Sequence, residues 1–260
     1  MDSTVHTSAQ DGVWTITLDR PKANAIDVRT SQAMYLAFER LQNDPELRVG
    51  IITGTGRFFS AGWDLHAAIA GEAIDANHGR GGFAGLTEFF SLGKPVIAAV
   101  NGLAIGGGFE LALAADLIIA SDSAEFALPE LRLGMIPDSG GVIRLPRRLP
   151  RALATEMLFT GRRMSAQEAA HWGLVNRVAR ADDLLTQAHQ LAREIVQSAP
   201  LALAAAKQVL SALEGLPIPE AYAQLRSGRL AAYAAMLASE DAKEGPRAFE
   251  EKRAPLWRGV

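Results

Sequence analysis

Short apolar segments separated by helical patterns run through the first three quarters of the chain. VWTITLDRP alternates apolar and polar residues and ends at Pro21, which predicts an edge or half-buried strand. RVGIITGTG and KPVIAAVNG are short apolar runs that end at glycines, as buried strands do. Between them, residues 29–44 place Met34, Ala37 and Leu41 on one helical face. This alternation of strands and helices predicts an α/β fold.

The pattern changes near residue 199, where the strand signals end and alanine-rich helical patterns begin. Breaks in these helices are expected at Gly215 and at Gly245, each of which is closely followed by a proline. We therefore predict two parts: a core over residues 1–198 and a helical C-terminal region over residues 199–260.

One segment of the core has the composition of a loop. IAGEAIDANHGRGGFAG, residues 69–85, is rich in glycine and mixes apolar with polar side chains. Loops of this kind often cover functional sites. We therefore predict a mobile loop here.

Composition and charge exclude several classes of protein. The chain has 260 residues, of which 48% are hydrophobic, enough to bury one large core. A net charge of −3 without a polybasic run argues against nucleic acid as the main partner. Cysteine is absent, which excludes disulfides, a thiolate nucleophile and cysteine metal sites. The N-terminal residues do not resemble a signal peptide, and the apolar runs are too short to span a membrane, so we expect a cytoplasmic protein without a membrane partner.

A lone carboxylate interrupts the apolar segment VNGLAIGGGFELALAAD, residues 100–116. A helix that begins at its three glycines would present unpaired N–H groups and the positive end of its dipole. Glu110 lies in the first turn of that helix. It is either an ordinary first-turn carboxylate on a solvated face or a group that points into a cleft, and this segment alone leaves both interpretations open.

A second glutamate, Glu130, follows Pro129 in FALPELRLGMIPDSGG and so lies in a turn or a first helical turn. Its role is either purely structural or that of a partner to Glu110. If both carboxyl groups faced one cleft, burial and mutual repulsion would raise at least one pKa, which suits proton transfer near neutral pH.

A third segment, RFFSAGWDLHA, is predicted to form a tight turn at residues 61–63 after a strand. Its backbone N–H groups would face the same place as those of the glycine-rich helix start. Two such donors from separate segments form an oxyanion hole, and the loss of one typically costs about 2.7–4 kcal/mol of transition-state stabilisation.

These segments occur together in a recognisable order. SAGWDL, NGLAIGGGFELALAAD, FALPELRLGMIPDSGGVIRLP, FTGRRMSAQEAAHWGLVNRV and FEEKR resemble the crotonase (enoyl-CoA hydratase/isomerase) family, from about Gly12 to Arg253. The resemblance implies a spiral ββα core and a helical C-terminal region that packs trimers, often paired into hexamers. It also implies a site for an acyl-CoA thioester, whose oxygen becomes the enolate oxygen.

The resemblance assigns the chemistry to four positions. The oxyanion donors of the family correspond to the backbone N–H groups of Trp63 and Gly107, and its two hydratase glutamates correspond to Glu110 and Glu130. Isomerases of the family commonly keep only the position of Glu130, so the presence of both glutamates favours hydration or dehydration. This reaction needs no metal or redox cofactor, because coenzyme A is part of the substrate.

The resemblance also implies a path for coenzyme A. For the two lysines on this path, the alternative interpretation is a solvent-exposed charge that does not contact a phosphate of coenzyme A. The five histidines show no metal-ligand spacing, and we expect them to be surface or structural residues. The predicted CoA-binding residues are Lys22, Ala23, Ala25, Ala61, Asp64, Leu65 and Lys252.

Within the family, RPKANAID, SAGWDL, GGFAGLTE, PDSGGVIRLP and SEDAKEGP most resemble the branch whose short acyl group carries a trimethylammonium group. Aromatic faces with a nearby carboxylate usually hold such cations. The predicted acyl pocket therefore consists of Trp63, Phe83, Phe126 and Asp138. Two alternatives are a general short-chain hydratase, in which the aromatic residues only wall an apolar pocket, and a CoA- or RNA-associated member without catalysis.

Overall fold

The structure is a computed structural model that describes residues 4–260. Ten strands form two sheets in this part of the chain. In chain order they are β1 (Val5–Gln10), β2 (Val13–Leu18), β3 (Val49–Gly54), β4 (Phe58–Ser60), β5 (Val96–Val100), β6 (Leu103–Ile105), β7 (Leu117–Ser121), β8 (Glu125–Ala127), β9 (Met164–Ser165) and β10 (Arg177–Ala179).

Eleven α-helices accompany the strands in the same part of the chain. They are α1 (Val28–Asn43), α2 (Leu65–Ile69), α3 (Gly107–Ala114), α4 (Gly141–Arg148), α5 (Arg151–Thr160), α6 (Ala166–His171), α7 (Leu184–Val196), α8 (Pro200–Leu213), α9 (Ile218–Leu225), α10 (Ala231–Ala238) and α11 (Asp241–Glu250). Short 3-10 helices cover Phe83–Gly85, Glu130–Leu133 and Ala181–Asp183. Within residues 4–260, no helix is both long and apolar enough to cross a membrane.

The chain winds as a spiral that adds one strand to each sheet per turn. The large sheet has the order β1-β2-β3-β5-β7-β10 and is parallel except for the β1–β2 pair. The small sheet has the order β4-β6-β8-β9, with only β8 and β9 antiparallel. Strand β3 leads into β4, β5 into β6 and β7 into β8, and a helical segment follows each of these pairs. This arrangement confirms the predicted α/β fold with ββα units.

Strand β2 lies in the interior of the large sheet, so its prediction as an edge or half-buried strand is wrong. It pairs with β1 on one side and β3 on the other, and all but one of its residues are buried. The polar positions that suggested alternation are threonines, and one of them, Thr15, is buried and lies 3.4 Å from His189 Nε2 through its hydroxyl. The edge is formed by β1, whose residues are mostly exposed.

Two apolar layers cover the faces of the large sheet. On one face, α1 buries the predicted stripe of Met34, Ala37 and Leu41 in the main core. On the other face, α7 packs Leu184, Ala188 and Ala192 against residues of β2, β3, β5 and β7. The small sheet continues the main core and carries the loops that form the site.

The C-terminal region is helical from Pro200, and its first break, between Leu213 and Ile218, is as predicted. The second predicted break is wrong, because Gly245 and Pro246 lie inside α11. Tertiary contacts hold that helix despite its low intrinsic propensity: Asp241, for example, accepts hydrogen bonds from the N–H groups of two later residues at 2.8 Å each. No feature of the structure tests the boundary at residues 198 and 199, which stays a prediction.

Candidate active site

A cavity of about 390 Å³ lies where loops of the small sheet meet the N-terminus of α3. Four segments supply most of its lining, and the glycine-rich loop predicted from the sequence is one of them. The lining residues fall within 61–65, 74–83, 105–110 and 129–139, together with Glu88.

Glu110 points into this cavity from the first turn of α3, which begins at Gly107 as predicted. The residue is only 3% exposed, so the interpretation as a carboxylate on a solvated face is wrong. Its Oε1 accepts a hydrogen bond of 2.7 Å from the N–H of Gly141 at the start of α4. Burial raises the pKa of Glu110 to about 8, and the charges of Glu130 and Asp138 add to this rise, whereas the Gly141 N–H opposes it.

Glu130 faces the same cavity from the start of a 3-10 helix after Pro129. Its Oε2 is buried and has no hydrogen-bond partner within the described chain. Burial is the main cause that raises the pKa of Glu130 to about 7, and the charge of Asp138 contributes. Burial thus raises the pKa of both carboxyl groups, so proton transfer by either of them near neutral pH is favoured.

Two free N–H groups lie beside the glutamates, where the chain at Gly62 touches the start of α3. A Cβ atom on Gly62 would lie only 2.6 Å from the Gly107 nitrogen, so the two backbones are in contact. Ile26 pairs with both neighbours of Trp63: its N–H donates to the Gly62 carbonyl, and its carbonyl accepts from Asp64. In residues 4–260, the N–H groups of Trp63 and Gly107 have no hydrogen-bond partner.

The pairing with Ile26 also corrects the local prediction for residues 61–63. No turn is formed over residues 61–63, where the sequence predicted a tight turn: Gly62 has φ = +83°, and Trp63 forms a bridge with Ile26. In this parallel bridge, the two neighbours of Trp63 make the hydrogen bonds with Ile26, and the N–H of Trp63 itself faces the other side, away from Ile26.

Among the predicted CoA-binding residues, Ala61 and Leu65 line the cavity. The other five do not line it in the described chain. Asp64 instead caps α2 and forms an ion pair of 2.7 Å with Arg20. The carbonyl groups of Ala23 and Ala25 accept hydrogen bonds from Ala61 N–H and Arg20 Nη1. The lysines at positions 22 and 252 are exposed, and their roles stay predictions.

Three of the four predicted acyl-pocket residues, Trp63, Phe83 and Asp138, line the cavity. The prediction for Phe126 is wrong, because its side chain points from β8 into the main core and packs against Phe109 with ring centroids 5.1 Å apart. A hydrogen bond of 2.8 Å from Nε1 to the Glu72 carboxylate fixes the orientation of the Trp63 indole.

The sequence-based prediction missed three titratable residues of the lining: Asp75, His78 and Glu88. His78 was expected to be a surface or structural residue, yet it lines the cavity. Its Nδ1 lies 2.8 Å from the Ser31 hydroxyl, and its ring contacts Phe83 edge-on. Burial lowers the pKa of His78. The glycine-rich loop pattern was the one signal that could have drawn attention to Asp75 and His78.

The lining of the cavity is strongly acidic. It contains five carboxylates, and no lysine or arginine of residues 4–260 belongs to it. In the same residues, no group of three or more histidine, aspartate and glutamate side chains could hold a metal ion. The carboxylates are Asp75, Glu88, Glu110, Glu130 and Asp138.

Comparisons with known proteins identify the family of this chain. The family model described as enoyl-CoA hydratase/isomerase matches residues 8–260. A carnitinyl-CoA dehydratase from Salmonella typhi is 60% identical over 260 residues, all of both chains. The crystal structure of enoyl-CoA hydratase from Mycobacterium tuberculosis H37Rv has a TM-score of 0.90 at 39% identity, with 99% of each chain covered.

The crystal structure of carnitinyl-CoA hydratase from Mycobacterium avium has a TM-score of 0.78 at 42% identity and covers all of both chains. The matches therefore extend over the whole spiral core and the C-terminal helices, including the segments that carry both glutamates and both free N–H groups. This chain belongs to the enoyl-CoA hydratase/isomerase family and has the crotonase fold.

Proposed function

We propose that this chain is a hydro-lyase that interconverts carnitinyl-CoA and crotonobetainyl-CoA by removal and addition of water. The observation that carries the proposal is the cavity itself, where two glutamates with raised pKa values lie beside two free backbone N–H groups. Relatives named carnitinyl-CoA dehydratase match this chain over the full length of both proteins, which supports the choice of substrate.

The backbone N–H groups of Trp63 and Gly107 hold the thioester oxygen of the substrate. Removal of a proton from Cα places negative charge on this oxygen, and preformed donors stabilise that charge without reorganisation. Gly107 is the first residue of α3, so the helix dipole strengthens the interaction. The pair therefore lowers the barrier to forming the enolate.

In dehydration, the ionised carboxylate of Glu130 accepts the proton from Cα. The electron pair of the broken C–H bond forms the Cα–Cβ double bond, and the Cβ–O bond breaks. Glu110 gives its proton to the departing hydroxide, which leaves as water. The raised pKa values of both glutamates allow one of them to keep its proton near neutral pH while the other is ionised. Hydration uses the same groups in reverse.

The acidic lining suits an acyl group that ends in a quaternary ammonium. Such a cation has no N–H donor, so only aromatic faces and uncompensated negative charge can hold it. Phe83 and Trp63 supply aromatic rings, and Asp138 and Glu88 supply carboxylates for which residues 4–260 show no ion pair, although the charge of Arg144 acts on Glu88. A plain fatty acyl chain would gain nothing from these charges.

We also propose that the chain assembles as a homo-oligomer, a trimer or a pair of trimers. Each C-terminal helix from α8 to α11 exposes large apolar side chains, which surfaces of monomers rarely do in such number. The exposed apolar residues of these helices are Leu210, Ile218, Tyr222, Leu237 and Phe249.

Lys22 and Lys252 are proposed to contact coenzyme A phosphates at the protein surface.

Incubation of the purified protein with carnitinyl-CoA tests the proposed reaction. We expect a new thioester that is lighter by one water and has the absorbance of an α,β-unsaturated acyl group. Hydration of crotonyl-CoA without any turnover of carnitinyl-CoA would favour the general short-chain hydratase instead. Binding of coenzyme A esters without turnover of either substrate would favour a non-catalytic family member.

A further inference from the structure

Arg144 of α4 connects two segments that each contribute residues to the lining of the cavity. Its Nη2 donates a hydrogen bond of 2.6 Å to the carbonyl of Thr87, and its Nη1 lies 3.5 Å from the carbonyl of Ser139. Gly140 makes room for this side chain, because a Cβ atom there would collide with the guanidinium. One planar, multidentate donor therefore fixes the distance between the two segments.

The segment on the Thr87 side carries the ring that covers the oxyanion glycine. The Thr87 hydroxyl and N–H both donate to the carbonyl of Phe83, at 2.9 and 3.3 Å. The Phe83 ring in turn lies against Gly107, where a Cβ atom would be 2.5 Å from Cε1 of the ring. A shift of Thr87 would thus move Phe83 over the Gly107 N–H.

The segment on the Ser139 side carries the group that holds Glu110. Ser139 and Gly140 lead directly into α4, whose first N–H, that of Gly141, donates to Glu110 Oε1 at 2.7 Å. Asp138 precedes them in the cavity lining. The Arg144 guanidinium therefore braces the loop that fixes the position and hydrogen bond of Glu110.

Arg144 does not line the cavity, but its positive charge acts on Glu110. The charge of Arg144 lowers the pKa of Glu110, against the larger rise from burial and the smaller rises from Glu130 and Asp138. Burial lowers the pKa of Arg144 itself, and the charges near it are Glu110, Glu88 and Arg147. A guanidinium keeps its charge in such surroundings.

We propose that Arg144 is a positioning residue for the dehydration. It holds the segment of Phe83 and Thr87 in place relative to the segment of Ser139 and Gly141, and it keeps a positive charge near Glu110. The proposal rests on the proposed function, since it concerns how Glu110 acts in that reaction. No contact of Arg144 with the substrate is required, because the residue acts through the two carbonyl groups and through its charge.

Two substitutions separate its roles. Arg144→Gln removes the charge and keeps one donor, whereas Arg144→Lys keeps the charge and loses the planar fork. For Arg144→Gln we expect kcat for carnitinyl-CoA dehydration to fall about tenfold. We also expect the alkaline limb of the kcat/KM profile, where Glu110 loses its proton, to move to higher pH by roughly half a unit or more, because a neighbouring positive charge is lost. For Arg144→Lys we expect a similar fall in kcat with the alkaline limb unmoved.

Arg147→Gln is the matched control, since Arg147 lies on the same helix, is exposed and does not contribute to the pKa of Glu110. It should leave both kcat and the pH profile unchanged. An unmoved alkaline limb in Arg144→Gln would overturn the electrostatic role, and kcat within about twofold of wild type in Arg144→Lys would overturn the positioning role. If Arg144→Gln does not fold, the Arg144→Lys result decides. Failure of the proposed function would appear separately, as an inactive wild-type protein.

Discussion

Glu130→Gln is expected to lower kcat for carnitinyl-CoA dehydration by about 10³-fold, and Glu110→Gln by a similar factor, because an amide can neither accept nor donate the transferred proton. Glutamine keeps the shape of the side chain, and in Glu110→Gln its carbonyl can still accept from Gly141 N–H. KM should therefore change only a few-fold. Steady-state kinetics of both variants, in the dehydration and the hydration directions, measure these effects.

The stability of Glu110→Gln provides the control against unfolding. The pKa of Glu110 is raised from 4.5 to about 8 in the folded protein, so the folded state binds this proton more tightly than the unfolded state does. The associated stability is complete below about pH 4.5 and is lost as the pH rises through about 8. Because glutamine has no such titration, the free energy of unfolding of the variant should exceed that of wild type by about 1–3 kcal/mol at pH 8.5, with little gain at pH 5.

Urea unfolding at the two pH values measures this difference. A variant that is inactive but more stable at pH 8.5 shows that the glutamate serves catalysis at a cost in stability. A variant that is equally destabilised at both pH values would show that the pKa of Glu110 is not raised in the folded protein, and its loss of activity would then not be separated from loss of stability.

Gly62→Ala is expected to reduce kcat/KM by about 10²-fold or more, because the new methyl group would block an oxyanion donor. Its Cβ would lie 2.6 Å from the Gly107 nitrogen and 2.8 Å from the Ile105 carbonyl oxygen. Gly62 also has φ = +83°, so alanine adds backbone strain there. Kinetics with carnitinyl-CoA and thermal unfolding of the variant give the two effects separately.

Gly173→Ala is the matched control for that strain. Gly173 has φ = +77°, and no heavy atom lies within 4 Å of the position of its Cβ. Both variants therefore carry similar backbone strain, but only Gly62→Ala obstructs the Gly107 N–H. If the two variants retained equal kcat/KM, the assignment of the oxyanion hole to this contact would be refuted.

Local sequence signals were sufficient to predict the positions of both glutamates in first helical turns. The glycines before α3 and Pro129 before the 3-10 helix are local features, and the structure agrees with both. Burial was beyond such signals. Glu110 is enclosed because α4 places Gly141 against it, and a contact 31 residues away leaves no local pattern.

The side chains that the sequence misassigned depend on orientation rather than on sequence position. Phe126 lies on β8, which pairs with β6 just before the three glycines, but its side chain is buried in the core. Glu88 ends the quoted segment GGFAGLTE, but nothing in that segment indicates that its side chain lines the cavity. The charge pattern of the cavity therefore emerged only with the three-dimensional structure.

The ratio of kcat/KM for crotonobetainyl-CoA and crotonyl-CoA, measured side by side, shows whether the site recognises a quaternary ammonium group. A cation held by aromatic rings and two carboxylates should favour the betaine ester by roughly 100-fold or more, and Asp138→Asn should lower kcat/KM for the betaine ester more than that for crotonyl-CoA. Equal or faster turnover of crotonyl-CoA by the wild-type protein would contradict the account and identify a general short-chain hydratase.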